Sequence, residues 1–208
     1  MMWYLVTTPP WLRRLYPKAL WHLPSNSEKT LYLTFDDGPV PEMTPTILQI
    51  LKEYHAQATF FCVVDNVRKY PALYRNLQEE GHATGNHTFH HLNGWKTPVD
   101  RYVENVEQCA GLVESRLFRP PHGCLTYPQY RKLANQYRIV MWDVLSGDFD
   151  PACSPEKCLR NVTLHARPGS IVVLHDNIKA KQRVLYALPR LLDHFSNQGY
   201  RFRGISAP

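Results

Sequence analysis

From about residue 31 to its end this chain alternates short runs rich in β-branched and aromatic residues with stretches whose apolar residues recur every three or four positions. Short apolar runs suit buried strands and a spacing of three and four suits one face of a helix, so regular alternation of the two is the sequence form of parallel β/α units. Strands are expected at Leu31–Phe35, Ala58–Val63, His82–Asn86, Leu117–Arg119, Arg138–Asp143, Ile171–Leu174 and Tyr200–Phe202. Helical spacing links Ile47, Leu48, Leu51 and Tyr54, then Tyr102, Val106, Cys109 and Val113, then Val184, Leu188, Leu191 and Phe195, with weaker helices over Pro71–Glu80, Pro128–Gln136 and Pro155–Leu164. Gly81 and Gly199 follow the last turns of two of these, where a left-handed residue belongs. Such a chain can close as an irregular β/α barrel or open as a doubly wound sheet, and the pattern alone does not choose between them.

A length of 208 residues fits one domain with a core large enough to need no disulfides. The formal charge of +6 comes from Lys and Arg scattered along the chain, without the basic stripe and interleaved aromatics of a nucleic-acid surface. Five cysteines without a Cys-x-x-Cys pair indicate reduced thiols, with Cys62 and Cys109 in apolar packing positions. The apolar start, Met1–Val6, is short and is followed by Pro9-Pro10 and then Arg13-Arg14, the reverse of the charge order of a secretion signal; a cytoplasmic location and no membrane span are expected. Asn86-His87-Thr88 and Asn161-Val162-Thr163 match glycosylation sequons by coincidence, since the first falls inside a cluster of chemically useful residues.

The polar residues with chemistry to offer fall at or just past strand ends: Asp36-Asp37, His87, Arg119, Asp148 and His175. In a parallel β/α fold these ends make one face, so residues spread over much of the chain converge. His87 and His91, four apart, would stack on one face of a helical turn in a spacing that suits a transition metal, with His90 as a competing partner. Two adjacent carboxylates repel unless a cation or basic group compensates. Two His and one Asp leave a coordination position open for water, and the second Asp is then available to accept a proton. His175 beside a carboxylate would stay protonated and serve as a general acid; Arg119 can orient an Asp or pair with it for structure.

Together these residues resemble the polysaccharide deacetylase family, also called the NodB-homology domain or carbohydrate esterase family 4, from about Leu31 to about Phe202. Its first motif is intact as Thr34-Phe35-Asp36-Asp37-Gly38-Pro39, and the resemblance implies Asp36 as catalytic base and Asp37 as metal ligand. His87-Thr88-Phe89-His90-His91 matches the second, making His87 and His91 the other ligands and His90 a neighbour. Arg119-Pro120-Pro121-His122-Gly123 matches the third, in which the arginine orients the base and the backbone N–H of His122 binds the oxyanion; many members carry Tyr at that position. The fourth is partly matched by Leu145-Ser146-Gly147-Asp148-Phe149: Asp148 would tune the acid, while Leu145 and Phe149 replace the family's first Asp and its acetyl-pocket Trp. The fifth places the general acid at His175 with Leu174 beside it in the apolar pocket.

The resemblance implies an α/β fold, an irregular, TIM-like (β/α)7 barrel over residues 31–208, with residues 1–30 as an N-terminal extension packed on it. It implies a hydrolase that removes N-acetyl groups from a chitooligosaccharide- or peptidoglycan-like carbohydrate and holds one divalent metal, zinc by preference, with cobalt, nickel or manganese suiting similar ligands. O-acetyl ester cleavage at the same site and a catalytically silent carbohydrate-binding domain are the competing expectations. Oligomeric state leaves no trace in the sequence.

Overall fold

The computed structural model describes residues 4–24 and 28–206. A short helix, α1 (Pro10–Leu15), precedes β1 (Thr30–Asp36), α2 (Thr44–Glu53), β2 (Thr59–Cys62), α3 (Val64–Lys69), α4 (Pro71–Glu79) and β3 (Ala83–Asn86). There follow α5 (Val99–Glu107), β4 (Leu117–Phe118), α6 (Tyr127–Leu133), β5 (Arg138–Ile139), β6 (Val144–Leu145), α7 (Pro155–Thr163), β7 (Ile171–His175), α8 (Lys181–Ser196) and β8 (Arg201–Phe202). The strands pair in parallel in the order β5-β4-β3-β2-β1-β7-β6, and β8 joins the first residues of β1.

One hydrogen bond shows how strongly this sheet curls. The ends of β4 and β1 are three strand spacings apart, about 14 Å in a flat sheet. Yet Arg119, one residue past β4, reaches Asp36 at the end of β1 with an N–O distance of 2.8 Å. Phe61 of β2, Leu117 of β4 and Ile171 of β7 likewise share one inner cluster with Val140 and Ile205. The architecture is the distorted (β/α)7 barrel, and strand alternation sorts its two faces. Leu33, Phe35, Phe60, Cys62, Val172 and Leu174 pack outward with Ile47, Leu51, Leu188 and Leu191 of the covering helices.

The seam between β5 and β6 is bridged by the N-terminal segment. Leu20 pairs with Val140, Thr7 with Val144 and His22 with Ser170. Leu145 N–H donates to Val6, Met141 N–H to Leu20 and Leu23 N–H to Gly169. Beneath it Asp143, almost fully buried, gathers Arg13, His22 and Ser170. The expected strand Arg138–Asp143 therefore divides: β5 ends at Ile139, and the carbonyls of Val140 and Met141 accept from the Arg119 side chain instead of a neighbouring strand. The chain then re-enters the sheet as β6, which the sequence pattern did not announce.

All five cysteines are free and buried. Burial raises the thiol pKa of Cys62 and of Cys109, the latter to about 12, so both are inert packing groups. Asn86 and Asn161 are also buried, donating to the carbonyls of Val106 and Ser146, which leaves no room for a glycan on either. Among the described residues no helix is long and apolar enough to cross a membrane.

Candidate metal and catalytic site

Asp37 stands just past β1 in the left-handed region (φ 84°), a conformation its short polar side chain tolerates. Its Oδ1 lies 3.0 Å from His91 Nε2 and 3.6 Å from His87 Nε2, and one donor atom from each of the three residues falls within 4.8 Å of the others. Burial disfavours the Asp37 carboxylate, but the hydrogen bond from His91 and the charge of His175 outweigh it and hold the pKa below the usual carboxylate range. Burial lowers the pKa of His87 to about 4, so its imidazole is neutral at physiological pH. Its Nδ1 is 2.8 Å from the carbonyl of Arg119, which fixes the proton there and leaves the Nε2 lone pair facing Asp37.

The two histidines do not sit on a helical turn, as their spacing had suggested. Residues 87–92 form a loop in which Thr88 and His91 have positive φ (66° and 54°). Side chains satisfy its backbone in place of helical bonds: Asn86 accepts from Thr88 N–H, Asn105 from Phe89 and His90 N–H, and Thr88 Oγ1 from Leu92 N–H. The rings of His87 and His91 end 5.2 Å apart, while His90 turns outward to Asp65.

Arg119 is completely buried, although it carries a charge. Its guanidinium donates to Asp36 Oδ1 (2.8 Å), Thr34 Oγ1 (2.6 Å) and the carbonyls of Val140 and Met141, and lies 4.2 Å from the Phe61 ring centroid. Burial lowers its pKa, and the neighbouring Asp36 opposes that shift. On the other side of β1, Asp36 is in register with His175 of β7. Asp148, fully buried, accepts from both the backbone N–H (2.6 Å) and the Nδ1 (2.7 Å) of His175. Burial opposes the imidazolium, but Asp148, followed by Asp37 and Asp36, raises its pKa to about 9. Gly147 has φ 83°, and a Cβ there would fall 2.3 Å from the Tyr4 hydroxyl, so only glycine lets the Asp148 loop approach the N-terminal segment.

His122 lies in the tight turn Pro121–Gly123 with φ 58°, its ring 4.7 Å from that of His91. Burial and the charge of His91 lower its pKa. Phe149 forms an apolar wall, its ring 5.4 Å from His175 and 4.9 Å from Tyr4. Leu174 does not join that wall. It occupies the opposite face of β7 from His175, wholly buried in the helix-covered core, because side chains alternate along a strand.

Three supporting residues carried no sequence signal as such. Asn177 donates to Asp37 Oδ2 and Asn66 to the Asp37 backbone carbonyl, so the carboxylate is oriented by one and the main chain beneath it by the other. Asp176, fully buried, accepts from Thr44 Oγ1 (2.7 Å), and burial raises its pKa to about 7. It presses so close to Gly38 that a Cβ there would meet its Oδ2 at 2.2 Å.

Comparison with known proteins follows the same lines. The profile for polysaccharide deacetylase matches residues 24–142. A peptidoglycan-N-acetylglucosamine deacetylase of Bacillus cereus is 34% identical over 194 residues, covering 89% of this chain and 90% of that protein. A chitooligosaccharide deacetylase of Azorhizobium caulinodans is 34% identical over 171 residues, covering 78% and 80%. The crystal structure of the Bc1960 peptidoglycan N-acetylglucosamine deacetylase superposes with a TM-score of 0.86 at 30% identity, covering 95% of each chain. With the profile spanning more than half of the sequence and relatives a third identical over most of it, the chain belongs to the polysaccharide deacetylase family.

Proposed function

We propose that the protein is a metal-dependent carbohydrate N-deacetylase that releases acetate from β-linked N-acetylglucosamine units. The observation that carries this is the convergence at one barrel face of an Asp-His-His donor set, an arginine-held carboxylate and a carboxylate-held histidine. The donor set fits a divalent ion: its three atoms are close, one histidine is neutral with its tautomer fixed, and Asp37 is ionised. Two nitrogens and one oxygen suit zinc first, with cobalt, nickel or manganese as substitutes. Such an ion, held by Asp37, His87 and His91, supplies Lewis acidity toward an acetyl oxygen and acidifies water.

The remaining chemistry belongs to the chain. Arg119 holds Asp36 by Oδ1, which leaves Oδ2 to take the proton of the attacking water. The backbone N–H of His122, in its tight turn beside His91, donates to the oxyanion that develops on the carbonyl oxygen. His175, kept protonated by Asp148, gives its proton to the departing amine, and Phe149 shields that transfer from water. The relatives' names support this substrate, since N-acetylglucosamine is the unit common to peptidoglycan and chitooligosaccharides.

The test is acetate release from acetylated chitooligosaccharides and peptidoglycan fragments, with acetylxylan as the oxygen-ester comparison. Wild type should release acetate from the N-acetylated substrates, and a chelator should stop it. Asp36→Asn and His175→Ala should each bind metal as wild type does yet lose turnover. Wild-type turnover in either variant would refute the roles given, and release from acetylxylan alone would assign the site to ester cleavage.

A further inference from the structure

We infer that Trp95 is a sugar-stacking platform at the rim of the site, holding a hexopyranose unit of the substrate chain next to the one that loses its acetyl group. The position rests on the deacetylase reading, because that reading says where the sugar chain lies.

Single exposed apolar side chains are common on protein surfaces and carry no meaning alone. Trp95 differs in how it is mounted. It is 69% exposed, yet it sits in a short turn, Gly94–Lys96, that is bonded on every side. Asn93 Oδ1 accepts from Trp95 N–H at 3.0 Å, and Thr97 Oγ1 donates back to the Asn93 carbonyl at 2.8 Å. Gln129, fully buried, donates to the carbonyls of Gly94 and Thr97 and accepts from Thr126 N–H. One amide thus clamps the turn after β3 to the start of α6.

The clamp fixes the backbone that carries the indole relative to the chemistry. Trp95 follows the ligand candidate His91 by four residues in the same loop. The turn packs backbone to backbone against the segment after β4: a Cβ on Gly94 would fall 2.2 Å from the Cys124 carbonyl, two residues beyond His122. Both loops follow parallel strands and so open on the face that carries Asp37, His87 and His91. Tyr127, 59% exposed, stands at the start of α6 on the other side of the same clamp.

An indole offers a broad, flat apolar face with one N–H at its edge, and the C–H face of a pyranose can cover it while the sugar hydroxyls remain in water. Because the backbone beneath is already ordered, such stacking fixes little beyond the side chain itself. The consequence is a preference for oligomers over the single sugar.

The experiment measures binding of N-acetylchitopentaose and of N-acetylglucosamine by calorimetry, and acetate release from the pentamer, for wild type, Trp95→Ala, Trp95→Tyr and Trp11→Ala. Trp11, 61% exposed on α1, is the control for loss of a surface indole. Trp95→Ala should weaken pentamer binding about tenfold, the size expected of one lost aromatic stack, and leave the monomer unaffected. Trp95→Tyr should recover most of the binding, and Trp11→Ala should match wild type. Pentamer affinity unchanged in Trp95→Ala, or no pentamer binding by wild type, overturns the platform. Acetate release with a KM untouched by Trp95→Ala also overturns the platform while the activity stands. Pentamer binding that depends on Trp95 without any acetate release sinks the activity and leaves the platform standing.

Discussion

Replacing Arg119 by Met is the most informative single perturbation of this site, because it keeps most of the side-chain volume and removes four hydrogen bonds. The side chain is fully buried and its partner Asp36 is 6% exposed, so neither water nor salt can take the guanidinium's place. Breaking one side of a buried ion pair costs about 3–5 kcal/mol, chiefly from the charge left behind. The carbonyls of Val140 and Met141 also lose their donor, at about 1 kcal/mol or more each if they stay dry. A loss of about 5–7 kcal/mol follows, against a typical total of about 5–15 kcal/mol. Urea unfolding of the chelated protein, with metal binding thereby excluded, measures it. Adding Asp36→Asn removes the stranded charge, so the double variant should be more stable than Arg119→Met alone by about 2 kcal/mol. Additive losses within about 0.5 kcal/mol would refute the argument, since uncoupled sites behave that way. If Arg119→Met does not fold while the double variant does, the same coupling is shown.

The metal triad gives the next prediction: a zinc excess of about a hundredfold over Kd should add close to 3 kcal/mol to wild type, a rise in Tm of about 6–10 °C, and His91→Ala should lose most of it. An equal rise in the variant would remove His91 from the ligand set. For His175, whose pKa is raised to about 9, the acid is present below that pKa and lost above it, so activity should fall on the alkaline side. Asp148→Asn should move this alkaline limb to lower pH, and an unmoved limb would show that Asp148 does not set the acid. Asp176 is also raised, to about 7, and the sign is that of a buried acid: its contribution is complete below the unfolded value near 3.8 and is lost as pH rises toward 7. Asp176→Asn should therefore flatten the fall in stability between those pH values, by at most on the order of 4 kcal/mol, and an unchanged pH dependence of urea unfolding would refute this.

Much of this site was legible because parallel strands place their ends together, so Asp36, His87, Arg119 and His175 could be gathered from distant parts of the chain without knowing how the sheet closes. Other features depended on interactions with no local pattern. The loop geometry of His87 and His91 is set by Asn86 and Asn105, whose side chains replace helical hydrogen bonds, and spacing alone reads such a loop as a helix. The strand expected to run to Asp143 stops early because a distant arginine takes its carbonyls. Leu174 has the right neighbour in sequence and the wrong side of the strand in space. Asn177, which orients Asp37 from 140 residues away, looks like any loop asparagine until the ends of β1 and β7 meet.

The segment that bridges the barrel seam also bears on how this chain reaches its native state. Thr8 and Trp142, joined by a hydrogen bond at 2.7 Å, are 134 positions apart, so this segment leaves the ribosome long before its partners are made. Until they do, β5 and β6 are sheet edges with unpaired backbone groups, open to pairing with another copy of the chain. Long-range closure of this kind slows folding, because loop entropy is lost before the contacts that offset it form. Residues 4–24 thus act as a late-docking guard on an adhesive edge. Expression without them should give aggregates well before it gives soluble protein with a damaged active site.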